Sequence, residues 1–250
     1  MRVIAISNQK GGTGKTTSAV NIGFGLQRLG YQVLIIDMDP QANLSTAVGI
    51  SMDMDKNLYH LFKPETEPEE VMQEVRGVKI IPAGLELSLV EGEYAWVRDK
   101  EYMLKNIMTR LQDFDFVLLD CPPSLGLLTL NALTAANEVF IPVQTEFLAL
   151  QGMSKLLETL EYVKNKLNPD LVISGIIAVR YDKRKVLNRE VVAKLELHFK
   201  DKLYKNYIRD NISLAEAPSF GLDIYHYKAD SAGAADYRQL CLEIIERSKK

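Results

Sequence analysis

Several residue types are scarce in this 250-residue chain, and each scarcity removes a class of function. There are two cysteines, Cys121 and Cys241, too few for a disulfide framework and in keeping with a reducing, cytoplasmic setting. The three histidines (His60, His198 and His226) are scattered without metal-ligand spacing, which argues against zinc chemistry. The longest apolar stretch, "LVISGIIAV" at 171–179, is far too short to span a bilayer. The first apolar run, "RVIAIS", is too short to be the core of a secretory signal. No internal repeat and no low-complexity tail is present. An excess of positive charge is missing as well, with 30 Lys and Arg against 33 Asp and Glu. A hydrophobic content of 47% with 25% charged residues is that of a globular chain.

What remains is an alternation. β-Branched runs recur at 2–7, 32–37, 78–83, 116–120, 138–143 and 171–179, each nearly continuous in apolar residues, as suits strands covered on both faces. Between them lie helix-like segments. Residues 16–29 follow a strand and a glycine loop and stop at Gly30, and 153–167 trace one apolar helical face. The pattern predicts an α/β fold: a doubly wound, mostly parallel sheet with helices on both faces and its site at the carboxyl ends of the strands. Residues 51–77, with Pro64, Pro68 and many acidic side chains, read as a surface excursion inside one domain spanning 1–250.

The stretch "NQKGGTGKTT" (8–17) sits between the first strand and the first helix. It departs from the usual phosphate-loop pattern, G-x-x-x-x-G-K-[ST], because Gln9 stands where a glycine is expected. Gly11, Gly12 and Gly14 still let successive amides turn inward, and the helix that follows adds its positive end. The loop residues Lys10, Gly11, Gly12, Thr13, Gly14, Lys15, Thr16 and Thr17 are therefore the candidate nucleotide contacts. Lys15 is placed for the β- and γ-phosphates, and the Thr16 hydroxyl for Mg²⁺. By its residue type alone, the extra lysine, Lys10, is equally well a solvated surface charge.

K-G-G-x-G-K-T-T resembles the deviant phosphate loop of the ParA/MinD group of ATPases, P-loop enzymes whose cofactors are ATP and Mg²⁺. The resemblance implies that Lys10 reaches across an ATP-dependent sandwich homodimer to the partner's nucleotide. "LIIDMDPQANLS" (34–45) is similar to the first switch region of ParA-type partition ATPases, which implies that Asp37 lies near Mg²⁺ and that Asp39 positions the attacking water. "FVLLDCPPSLGLLTLNAL" (116–133) resembles the next family segment and makes Asp120 the expected outer-shell metal carboxylate. "IPVQTEFLALQGMSKLL" (141–157) and "SLAEAPSFG" (213–221) extend the similarity over nearly the whole chain. The function implied is slow ATP hydrolysis in chromosome or plasmid partitioning, stimulated by a ParB-like activator, in a cytoplasmic and nucleoid-associated protein. With the first strand starting at residue 2, no N-terminal helix-turn-helix extension is expected.

Relatives within the group are separated by single features. A shared iron–sulfur cluster needs cysteines that this chain lacks near the loop, apart from Cys121. A MinD-like membrane anchor is a basic amphipathic helix, whereas "YRQLCLEIIERSKK" interleaves Glu243 and Glu246 with its apolar residues. A cobyrinic acid synthase type of amide-forming enzyme is expected to carry a glutaminase domain for which the chain has no room. Binding of nonspecific double-stranded DNA rests on 180–209, which holds ten Lys and Arg against four Asp and Glu. Lys183, Arg184, Lys185 and Arg189 are its candidate contacts, with Lys202 and Lys205 behind them, on the face that the family keeps away from the nucleotide. A solvated helix face is the competing reading of that stretch. "IRDNISLAEAP" (208–218) also departs from the family pattern, placing Ser213 where some relatives carry a DNA-contacting arginine. A MinD-like positioning switch for a protein or membrane cargo, without DNA, is the alternative.

Overall fold

The computed structural model describes residues 1–111, 113–146 and 151–248. Seven strands form one sheet: β1 (Arg2–Ile6), β2 (Val33–Asp37), β3 (Gln73–Val75), β4 (Val78–Ile81), β5 (Phe116–Asp120), β6 (Glu138–Gln144) and β7 (Val172–Val179). Their order across the sheet is β3-β4-β2-β5-β1-β6-β7, and every pairing is parallel except the β3–β4 edge.

Alternation along the strands feeds two cores. Val3, Ala5, Leu34, Ile36, Val117 and Leu119 point to one face. Ile4, Ile6, Val33, Ile35, Phe116 and Leu118 point to the other. The second face is covered by the helices Lys15–Arg28 and Ala232–Arg247, through residues such as Ile22, Phe24, Tyr237 and Ile244. The first is covered by Met103–Met108, Leu127–Ala135, Ser154–Lys166 and Val186–Phe199, through Leu104, Leu133, Leu156 and Leu195. Each fully buried Leu, Ile or Phe contributes about 1.5–3 kcal/mol. This two-sided burial is why the strands read as unbroken apolar runs.

The predicted strands and the two predicted helices are present within a residue or two of the expected bounds. The stretch 51–77 is different from its reading. It is not only a surface excursion: Leu58, Leu61, Phe62 and Val71 are buried in the first core, and Gln73–Val75 adds an antiparallel edge strand. Its helices are single turns of four residues (Leu58–Leu61 and Pro68–Val71), too short to show a helical period.

The strand order places β1 and β5 side by side in the middle of the sheet, with β2 beyond β5 and β6 beyond β1. Register pairs Ile6 with Asp120 and Asp37 with Asp120, so the two aspartates end neighbouring strands at the same level. The glycine loop leaves β1 at that end.

Candidate nucleotide site

The loop 8–14 is shaped by its own hydrogen bonds. The Asn8 side chain donates to the Pro142 carbonyl at 2.7 Å and accepts from the Lys10 amide at 3.1 Å, which fixes the loop's entry against β6. The Thr13 hydroxyl donates to the Lys10 carbonyl at 3.2 Å, and the Gln144 amide to that of Gly12. Gly12 and Gly14 have φ of +72° and +80°, a region costly for any side chain. Nothing lies within 4 Å of where a Cβ on Gly11 or Gly12 would stand, so the concave side of the loop is open. The helix Lys15–Arg28 starts from Gly14 with no side-chain cap and no acidic residue in its first turn, leaving its amides and dipole for a ligand. Lys15 is only 7% exposed, its ammonium 3.4 Å from the Lys10 carbonyl, and burial lowers its pKa against the opposing pull of Asp120.

Three carboxylates surround the start of that helix. Asp120 is buried; one oxygen accepts from the Thr16 hydroxyl at 2.7 Å, and Oδ1 has no hydrogen-bond partner among the described residues. Burial and the neighbouring Asp37 push the Asp120 carboxyl well above the ordinary range. Asp37 is also buried, and desolvation raises its carboxyl to about 6 against hydrogen bonds from Ser45 and Asp39. Asp39 is partly exposed on the segment after β2, where its side chain accepts from the Gln41 amide at 3.0 Å. Ala42, buried and with φ of +50°, turns this segment back into the helix Asn43–Ala47. Two buried carboxyls ending adjacent strands, Asp120 with an orphaned oxygen and a hydrogen bond from the Thr16 hydroxyl, offer oxygen donors that a small hard cation fits. Among the described residues no group of three or more His, Cys, Asp or Glu could hold a metal, so phosphate oxygens and water would have to complete the donor set.

A cavity of 570 Å³ opens from Gly12, Gly14 and Thr17 towards Arg180, Asn211 and Tyr237, a size suited to the remainder of a nucleotide. Lys10 neighbours the Arg180 side of this cavity through Glu146. Its side chain is 49% exposed and its ammonium lies 3.8 Å from Glu146, which also faces Arg180 at 3.7 Å. Arg180 in turn reaches Asp210 at 3.5 Å.

Comparison with known proteins agrees with this arrangement. A family model described as an AAA domain matches residues 1–173. The chromosome partitioning protein ParA of Caulobacter vibrioides is 42% identical over 100% of this chain and 96% of its own length. The sporulation initiation inhibitor protein Soj of Bacillus subtilis is 40% identical over 97% of this chain and 98% of its own. The chain belongs to the ParA/Soj family of partitioning ATPases. Among solved structures, cobyrinic acid a,c-diamide synthase from Mycobacterium smegmatis with bound ADP and magnesium superposes with a TM-score of 0.88, at 32% identity, over 100% of this chain and 96% of that one. A chain bearing that name thus fits the same length. Lack of room for a glutaminase domain therefore does not separate the two, and the higher identity to ParA and Soj does.

The structure of this ParA/Soj-family chain brings together Lys10 to Thr17, Asp37, Asp39 and Asp120 at the carboxyl ends of β1, β2 and β5. The basic residues fall into two groups, and the first lies on the nucleotide side rather than away from it. Lys183, Arg184, Lys185 and Arg189 follow the carboxyl end of β7, on the nucleotide side. Lys183 and Arg184 share a pocket with Arg209 and Asp210, which also line the nucleotide cavity. All four are exposed, but Arg184 is tied to Asp182 at 2.9 Å, and Arg189 donates to the Lys183 carbonyl at 2.8 Å. Lys200, Lys202 and Lys205 lie at the opposite end, beside Arg2, Glu138 and Val172 at the starts of three strands. Ser213 is buried, its backbone amide bonded to Asn211, so it presents no side chain to a surface partner. Of the "IPVQTEFLALQGMSKLL" segment, residues 147–150 lie outside the described residues, as do 249 and 250 of the terminal stretch. Among the described residues no helix is long and apolar enough to cross a membrane. Ser45, Gln144, Glu146 and Arg180 are neighbours of the site to which the motifs assigned no role: Ser45 comes from the helix after β2, Gln144 and Glu146 from the end of β6, and Arg180 from the end of β7, so their convergence appears only in the fold.

Proposed function

We propose that this chain hydrolyses ATP slowly as a face-to-face homodimer, binds nonspecific double-stranded DNA in the ATP state, and is stimulated by a ParB-like partner during chromosome or plasmid partitioning, over one domain spanning 1–250. The observation that carries this reading is the division between its two loop lysines. Lys15 is buried inside the loop, where it serves the chain's own β- and γ-phosphates. Lys10 is half exposed and, among the described residues, its ammonium is held by a 3.8 Å contact to Glu146, which leaves it able to serve a nucleotide bound opposite.

The amides of Lys10 to Thr17 line the phosphate cradle in this reading. The Thr16 hydroxyl, Asp120 and Asp37 would hold Mg²⁺, which would supply charge neutralisation on the phosphates. Asp39, on the partly exposed segment, accepts a proton from or orients the attacking water. Lys10 from the opposite chain stabilises charge developing on the γ-phosphoryl group. Because two chains must meet before that lysine is in place, turnover without an activator is slow.

Beside the DNA-binding dimer, a positioning switch that works without DNA has one observation in its favour. Arg184 and Arg209 are bidentate to Asp182 and Asp236, which removes two cations from the surface field. Binding of nonspecific duplex to the Asp39→Ala protein, with ATP-Mg²⁺ and with ADP over a salt series, decides between them. With about four phosphate contacts, affinity falls roughly 100-fold for a fourfold rise in salt. Charge reversal at Lys183, Arg184, Lys185 and Arg189, compared with reversal at Lys200, Lys202 and Lys205, locates the surface. An ATP-bound dimer with no DNA affinity would leave the positioning switch.

A further inference from the structure

Ser45 belongs to no phosphate-binding motif, yet it holds one of the site's carboxylates with two donors. It is fully buried in the helix Asn43–Ala47. Its backbone amide donates to Asp37 Oδ2 at 2.9 Å and its hydroxyl donates to the same oxygen at 2.7 Å. The hydroxyl oxygen also accepts from the Ala83 amide at 3.1 Å, just past the end of β4. The other oxygen, Asp37 Oδ1, accepts from the Asp39 amide at 3.1 Å. The Asp37 carboxylate is therefore clamped on both oxygens by the segment that follows it, and that segment is tied to β4 through one hydroxyl.

The clamp matters because of what lies beside it. Asp37 and Asp120 end adjacent strands in register, both buried, and Asp120 keeps one oxygen without a partner. A carboxylate free to rotate beside another would turn away from it or take up a proton, and neither orientation presents oxygens to a shared cation. We infer that Ser45 is a positioning residue for the metal-nucleotide site: its hydroxyl holds the Asp37 carboxylate in one orientation and ties the Asp39 segment to the end of β4. The inference rests on the reading of Asp37 as a carboxylate beside Mg²⁺.

The test uses the full chain with Ser45→Ala, Ser45→Thr, Asp37→Asn and, as a control, Asn57→Ala. Asn57 caps the helix Leu58–Leu61 through the Tyr59 amide at 3.0 Å, so its loss removes a buried hydrogen bond without touching Asp37. ATP hydrolysis is followed against ATP and Mg²⁺, and melting temperature is measured with EDTA, with ATP in EDTA, and with ATP-Mg²⁺. Ser45→Ala is expected to lower kcat about 10–100-fold. It should leave KM for ATP within about twofold and erase the extra thermal protection that Mg²⁺ adds to ATP. Ser45→Thr restores both, Asp37→Asn reproduces both losses, and Asn57→Ala lowers the melting temperature with kcat and the Mg²⁺ increment intact. A Ser45→Ala protein that keeps its kcat and Mg²⁺ increment, or whose losses are shared by Asn57→Ala, overturns the positioning role. Failure of Ser45→Thr to restore either quantity does the same. An Asp37→Asn protein at wild-type level removes the assigned role of Asp37 and that of Ser45 with it. A wild-type protein without Mg²⁺-dependent hydrolysis instead fails the underlying ATPase reading, and is recognised before any variant is compared.

Discussion

Lys10 and Lys15 carry the same ammonium group on one loop, and burial gives them different work. The Lys15 side chain is packed among Asp120, Asp39 and the loop carbonyls, where desolvation lowers its pKa and only an anion in the cradle restores a full countercharge. Lys15→Ala should therefore abolish measurable ATP binding in calorimetry, while melting of the nucleotide-free protein holds or rises, since a partly desolvated cation is removed. ATP affinity within about threefold of wild type, a difference worth less than 1 kcal/mol, would contradict the assignment. The loop was legible in the sequence because its chemistry is local: Gly12, Gly14, Lys15 and Thr16 are neighbours in the chain and in space. Ser45 and Gln144 were not. A buried serine in a short helix and a glutamine at the end of a strand acquire meaning only when Asp37 and the Gly12 carbonyl are seen beside them.

Among the elements, the parallel sheet is secured at its amino end as well as at the site. Arg2, opening β1, forms a two-pronged pair with Glu138, opening β6, at 2.7 and 2.8 Å. Burial alone would raise the Glu138 carboxyl, but the Arg2 contact reverses that and holds it below its ordinary value of 4.5. A carboxyl lowered by folding adds stability above its unfolded pKa, and the contribution is lost as pH falls through the folded value. Glu138→Gln should thus cost about 1.5–3 kcal/mol at pH 7. The difference from wild type in denaturant melts should shrink as pH drops below about 4. A deficit that is constant with pH would mean that packing, and not the ion pair, is lost. The strands themselves were legible because both faces are buried, which leaves continuous apolar runs at β1, β2 and β5. β3 was not legible: three residues, Gln73 to Val75, at an exposed edge carry no period, and only pairing with β4 defines them.

At the scale of the whole molecule, charge is segregated although the total is near balance at −3. Residues 180–209 supply basic groups at both ends of β7, one set beside the nucleotide cavity and one at the opposite pole. The sequence showed the excess but not its division, because helix Val186–Phe199 carries the chain from one end of the sheet back to the other. The half-exposed Lys10 belongs to the same face as the cavity, so any sandwich that uses it must bring the carboxyl ends of two sheets together. The most direct test is the solution mass of the Asp39→Ala protein, by light scattering, in ATP-Mg²⁺ and in ADP-Mg²⁺, with and without Lys10→Ala. A sandwich built through Lys10 gives twice the 28.2 kDa of one chain with ATP, one chain with ADP, and loss of the ATP-bound dimer when Lys10 is replaced. A protein that binds ATP yet stays at the mass of one chain, or a dimer indifferent to Lys10, would contradict it.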